Sequence, residues 1–509
     1  MARSRAKKAT VNIATNLLYE VITFICGLIL PRLILSHFGS TYNGIISSVT
    51  QFLSLVSILR LGVAGATRVA LYRTLATNDL AGTSAIVRAT EKYLRKVGLA
   101  ILVYIAVLAV VYPMFTDTGI GFFDVSVLVI ATGIGTFAQY YFGITNQTFL
   151  SADQSTYISN IAQICSTLAN TVLSAVLIYS GCTIQTVKLA SSVVFFLTPF
   201  MLNIYVARKY SLDKKCEPDY TGLEKRNDVL ASSLANIVHE NTDVIVLTLS
   251  CDVKTVSVYA VYNLVMSALR KILAVFSTGT EAIYGDMWAK HQMDSIKKNL
   301  TIYEYVIGVF ISIVFSATIM LIVPFVRIYT KGVTDVNYIQ PTYALVISVA
   351  MVFFCFRIPY LTLVQGIGAY KETKAGAFFE AGLNLTSSIV LVKFIGITGT
   401  AIGTLLANVF RSFQYAFYIE RNVVSRGKVV LLKDIIWISI NLGLSCSIAR
   451  ILFFRIDISS WSGWCCCGVM VVFISITVTL MTSLIAYRPV VMQTYAVIRR
   501  MIGVPRRRA

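Results

Sequence analysis

Apolar residues run along this chain in blocks of about twenty, separated by short polar stretches that carry most of the charge. Twenty residues of helix match the thickness of a bilayer's hydrocarbon core. Read with that window, the sequence predicts fourteen spans, near 11–35, 42–70, 96–113, 125–150, 158–180, 186–207, 228–249, 256–284, 303–328, 339–365, 375–393, 398–419, 433–454 and 464–486. The second and eighth are too long for a perpendicular crossing. Each is followed by a polar, helix-compatible stretch (73–95 and 286–302), read as an amphipathic connector along the membrane surface.

Composition agrees with this pattern. Of 509 residues, 56% are hydrophobic and 13% charged, with a mean hydropathy of +0.74, against about 25% charged in soluble domains. The expected class is all-α integral membrane protein. The formal net charge of +20 does not point to nucleic acid, because Lys and Arg fall in the short loops. There they set topology and meet anionic head groups. Fourteen spans put both termini on one face, and that face carries 31 of the 44 Lys and Arg against 8 on the other. The termini are therefore expected in the cytoplasm. The basic N-terminus precedes an apolar run too long for a signal peptide and without a cleavage site, so a retained first helix is expected. Ten Cys without a CxxC pair give neither a disulfide framework nor a zinc site.

A shift of about 214–217 residues superposes the first six spans on the next six. Gly65-Ala66-Thr67 falls on Gly279-Thr280-Glu281, Ala152–Thr156 on Ala369–Thr373, and Ala207-Arg208 on Glu420-Arg421. Because six is even, the repeats are parallel, related by an axis along the membrane normal. The expected organisation is a six-helix bundle over 1–210, a cytoplasmic linker over 211–227, a second bundle over 228–420 and two added helices with a basic tail over 421–509. A central cleft between the bundles is expected to open to either side in turn.

Ionisable groups inside spans are costly and mark pathways or relays. The first span carries Asn12, Asn16 and Glu20 along one face; the seventh carries Asn236, His239, Glu240 and Asp243. Glu20, His239, Glu240 and Asp243 are candidates for proton or cation coupling, although interhelical hydrogen bonding would also account for such groups. Five cations also lie in spans: Arg60, Arg270, Lys271, Arg357 and Arg411. Guanidinium forks suit phosphate or carboxylate, so these five are candidates for binding an anionic substrate. The competing reading is neutralisation of buried carboxylates or snorkelling, which is easiest for Arg60 and Arg411. His37 and His291 read as surface residues.

The run Leu59-Arg60-Leu61-Gly62-Val63-Ala64-Gly65-Ala66, continued by Ala70–Ala76 and Asp79, resembles the second span and connector of bacterial polysaccharide flippases. Asn241–Val246, with Val258-Tyr259 and Tyr262, is similar to their seventh and eighth spans. Over nearly its full length the chain resembles Wzx-type O-antigen and capsule repeat-unit flippases, relatives of MATE exporters and the lipid II flippase. That resemblance implies a protein of the bacterial inner membrane. It would move undecaprenyl-diphosphate-linked oligosaccharide to the outer leaflet, driven by an H⁺ or Na⁺ gradient and without another cofactor. The partners implied are the lipid-linked oligosaccharide, membrane lipids and polysaccharide polymerase or assembly proteins. No motif of the family fixes site residues, and fourteen spans exceed its usual twelve. A MATE-like exporter of small organic cations is the alternative, disfavoured by the five intramembrane cations. An enzyme is not expected: there is no Walker A loop, no Asp-x-Asp pair and no long outer loop.

Overall fold

The computed structural model describes residues 2–213, 215–221, 241–453 and 458–501, and they are helical almost throughout. The helices are α1 (Ala2–Ser54), α2 (Ser57–Ala76), α3 (Leu80–Phe115), α4 (Phe122–Ala138), α5 (Ile144–Ala152), α6 (Thr156–Tyr179), α7 (Ile184–Val194) and α8 (Leu197–Lys209). After α9 (residues 241–250) come α10 (Val253–Ala289), α11 (Met293–Tyr329), α12 (Pro341–Phe356), α13 (Ile358–Gly366), α14 (Tyr370–Ile395) and α15 (Ile397–Ile419). The chain ends with α16 (Lys428–Phe453), α17 (Trp461–Ala486) and α18 (Arg488–Met501). Among the described residues, eleven helical segments are long and apolar enough to cross a membrane. The protein is an all-α integral membrane protein.

The spans are more broken than the hydropathy pattern suggests. α1 covers the first span and the start of the second, and it breaks at Gly39, where φ is 83°. A side chain there would be strained and would meet Asp335. Asp335 accepts hydrogen bonds from the Ser40 amide (2.8 Å) and hydroxyl (2.6 Å), satisfying the exposed start of the helix after the break. A π-turn at Gln139–Gly143 separates α4 from α5, and the sixth span is split between α7 and α8. The tenth is split at Arg357, because Pro359 has no amide to bond the carbonyl four residues back. The polar stretches expected as separate connectors are instead the opening turns of α3 and α11, capped in α3 by Asp79 on the Gly82 amide.

The duplication is visible in the backbone. Non-helical joints with positive φ recur at Asn78 and His291, Gln154 and Gly368, and Gly181 and Gly396, pairs that stand 213, 214 and 215 residues apart. Each ends a helix at the same point of its half, so the two halves share one series of helices and turns. α16 and α17 have no counterpart in the first half.

By compactness the chain divides into Met1–Ala260 with Gly332–Val336, and Val261–Lys331 with Asn337–Ala509. The first unit packs around Ile45, Val49, Ile101, Leu128, Val129 and Val253. Gly44 lets α10 approach, since a Cβ there would lie 2.1 Å from the Val253 carbonyl. In this unit α9 packs against the end of α1: Asn241 accepts hydrogen bonds from Gln51 and Ser54, and Thr248 meets Ser48 at 2.9 Å. In the second unit α14 and α15 lie side by side, α12 packs on α15, and α16 and α17 pack on α11.

Candidate functional site

Three of the five predicted cations come together in the second unit. The α12–α13 break leaves Arg357 at the end of one helix and the start of the next, 8% exposed. Its Nη1 donates to Glu380 on α14, and its guanidinium lies over the Phe354 ring at 4.4 Å. Arg411 on α15, 3% exposed, places Nε 3.3 Å from the other oxygen of Glu380. Its Nη1 donates to the Thr373 carbonyl (2.9 Å) and to Gln414 (2.6 Å), and its guanidinium covers the Tyr415 ring at 4.0 Å. Gly376 makes room for it: a Cβ there would come within 2.5 Å of Arg411 Nη1. Arg270 on α10 is half-buried and donates to Asn263 at 2.9 Å. Arg270 and Arg357 both lie within electrostatic reach of the buried Cys355.

Among the described residues of this cluster, one carboxylate, Glu380, serves two buried guanidiniums, with a third close by. The Nε of Arg357 is buried and has no hydrogen-bond partner among the described residues. A buried site with surplus positive charge and an unused fork donor is suited to an anion with several acceptor oxygens. Arg411 does not snorkel; its charge is held inside by Glu380 and its carbonyl and amide acceptors.

The remaining candidates fall elsewhere. Arg60 lies on α2, and its side chain is outside the described residues, as are Asn236, His239 and Glu240. Lys271, next to Arg270, is exposed. Asp243 on α9 is buried in the first unit. Glu20 is half-buried on α1. Two turns earlier Asn12 ties α1 to the α5–α6 turn, donating to the Gln154 carbonyl and accepting from the Tyr157 amide, both at 2.9 Å. Asn12 is thus engaged in interhelical bonding, the alternative the sequence left open for that stripe.

A second buried ionic group was missed by the sequence reading. Arg426, counted there as a loop cation, donates to Glu304 on α11 (2.6 and 2.8 Å) and to Glu420 (2.6 and 3.1 Å). Burial opposes its charge, but the two carboxylates outweigh that and hold the guanidinium above its usual range. The available signal was two glutamates at the ends of apolar spans. Nothing in their spacing joins them to Arg426.

The chain matches no protein-family model and no curated protein. It does match solved structures. One is the lipid II flippase MurJ in an inward closed conformation: TM-score 0.71, 14% identity, covering 93% of this chain and 100% of that one. Another is an inward-facing multidrug resistance MATE transporter of the MOP superfamily: TM-score 0.68, 15% identity, 79% of this chain and 95% of that one. A third is a MOP superfamily transporter from Pyrococcus furiosus, described as having a binding pocket of reverse polarity: TM-score 0.56, 14% identity, 82% and 94% coverage. At these identities the likeness establishes the fold alone, one shared with these solved structures.

Proposed function

We propose that this protein is a flippase for undecaprenyl-diphosphate-linked oligosaccharide repeat units. By alternating access it carries them across the bacterial inner membrane for polysaccharide export. The observation that carries this reading is the Arg357–Glu380–Arg411 cluster with Arg270 nearby, a buried surplus of guanidinium in a protein with this fold. A diphosphate offers the acceptor oxygens that such forks bind in pairs. The functional division follows the repeat: bundles over 1–210 and 228–420, the linker 211–227 between them, and 421–509 added. Both termini are cytoplasmic, as the bias of basic loops dictates. Lys271 in the second unit and Arg60 in the first are further candidates for anion binding, while Glu20, His239, Glu240 and Asp243 couple transport to an H⁺ or Na⁺ gradient. Polymerase and assembly proteins would take the product at the outer face.

The proposal is tested by ligand-induced stabilisation in detergent. Undecaprenyl diphosphate is expected to raise the unfolding midpoint of the wild-type protein, because a ligand that binds only the folded state stabilises it. Undecaprenyl monophosphate should do so less, and Arg357→Gln should abolish the difference. That variant leaves Glu380 paired with Arg411, so its own midpoint should change little. Equal stabilisation by the two lipids would contradict a diphosphate site.

A second reading, export of small organic cations, rests on the MATE likeness. It predicts stabilisation by a cationic dye and none by the prenyl lipids. The surplus of guanidinium argues against it.

A further inference from the structure

Where α16 and α17 pack on α11, charge is left uncompensated. All five N–H donors of Arg426 are engaged: Nε and Nη2 with Glu420, both Nη atoms with Glu304, and Nη1 with the Thr301 hydroxyl. Two carboxylates therefore share one guanidinium, and none of its donors is left for a third. That third carboxylate is Asp434, in the first turns of α16 and 8% exposed. Its Oδ1 accepts from the Tyr487 hydroxyl. Its Oδ2 is buried and has no hydrogen-bond partner among the described residues.

Asp434 and Glu304 line one small cavity of about 10 Å³, together with Tyr305, Tyr360 and Trp437. It holds about one water molecule. The groups around Asp434 can be taken element by element. α11 presents Glu304 and Tyr305; α13 presents Tyr360, beside Glu304 but without the geometry of a full hydrogen bond. α10 contributes Tyr284, and Glu420 and Arg426 follow α15. Beyond α17, Tyr487 is the bonded partner and Arg488 is exposed. On α16 itself, Lys433 turns outward: its Nζ donates to the Ala486 carbonyl at 2.8 Å and lies 4.2 Å from the centre of the Tyr487 ring. Three carboxylates thus face one saturated guanidinium and one rim lysine. An ionised Asp434 would carry a buried charge beside Glu304 with one oxygen unsatisfied, which both burial and like charge disfavour.

We propose that Asp434 is a proton-binding site: one proton taken from water forms an O–H bond at Oδ2 and faces the cavity shared with Glu304. The proton removes the excess negative charge and lets Asp434 donate into the cavity instead of only accepting. This site lies on the added helix pair, apart from the first and seventh spans where coupling groups were expected. It does not depend on which substrate the protein moves.

The sign of the linkage is fixed. An unfolded Asp releases its proton near pH 3.9. A folded state that keeps the proton is favoured at low pH, and the advantage is lost as pH rises through the folded-state value. Unfolding midpoints of the purified protein and of Asp434→Asn, from about pH 3, below the unfolded value, to about pH 9, therefore test the site. The amide keeps an acceptor for Tyr487 and a donor for the cavity. The two midpoints should agree at low pH, and the wild type should fall progressively below the variant as pH rises. A pH-independent difference would overturn the proposal. So would sodium, at constant pH, raising the midpoint of the wild type but not of the variant, which would assign the site to a metal cation. If Asp434→Asn does not fold, infrared spectra of wild-type protein labelled with ¹³C-aspartate decide. A protonated carboxyl band should be present at neutral pH and vanish at alkaline pH. In Glu304→Gln the band should vanish at lower pH than in the wild type, because the like charge that disfavours ionisation is gone; a band that vanishes at the same or higher pH, or absence of the band in the wild type, overturns the proposal.

Discussion

Glu380→Gln is expected to destabilise the protein by about 3–5 kcal/mol, the range for removing one partner of a buried ion pair. That is a large share of a folded protein's margin. The reason is geometric: Glu380 accepts from both Arg357 and Arg411, each almost fully buried. A glutamine amide would turn an N–H toward two cations. The check is the unfolding midpoint in detergent, measured with the triple replacement Glu380→Leu, Arg357→Met, Arg411→Met. Apolar side chains of similar size carry no charge to bury, so the triple variant should recover most of the lost stability while losing transport. A wild-type midpoint for Glu380→Gln would mean that the arginines do not rely on this carboxylate.

The second large effect is on transport alone. Arg270→Gln should leave the midpoint within about 0.5 kcal/mol of wild type in stability, because Arg270 is half-buried and its one described hydrogen bond, to Asn263, can be remade by an amide. Flipping of diphosphate-linked substrate should fall by about tenfold to a hundredfold, the equivalent of losing one charge-assisted hydrogen bond of about 1.5–3 kcal/mol. Transport is measured in liposomes with protein content matched. Unchanged transport would remove Arg270 from the binding set.

Much of this architecture is legible in the chain. Hydropathy blocks locate the helices, and the 214-residue shift anticipates the recurring joints at Asn78 and His291 or Gln154 and Gly368. Pro359 marks the break beside Arg357, since proline removes a helical hydrogen bond. Pro199 marks the break between α7 and α8 in the same way, four residues after Phe195, the C-cap of α7. Charge partners were harder to read because they are set by packing between helices. Glu380 lies 23 residues from Arg357 and 31 from Arg411, separations that no helical periodicity connects. Arg426 sits among basic residues at a helix end and reads as a topology signal, although the structure buries it between Glu304 and Glu420. Asp434 stands beside Lys433 at the start of the span 433–454, and the helix turns the lysine out and the carboxylate in.

The central claim is that a diphosphate-linked glycolipid changes leaflets through this protein. Its most direct test places a fluorescent undecaprenyl-diphosphate oligosaccharide in liposomes containing the purified protein, with and without an imposed pH or sodium gradient, and follows the fraction open to a membrane-impermeant quencher. The account predicts gradient-dependent flipping that the Arg357→Gln protein does not support. A lipid that stays in its leaflet while a cationic dye crosses the same membranes would contradict it.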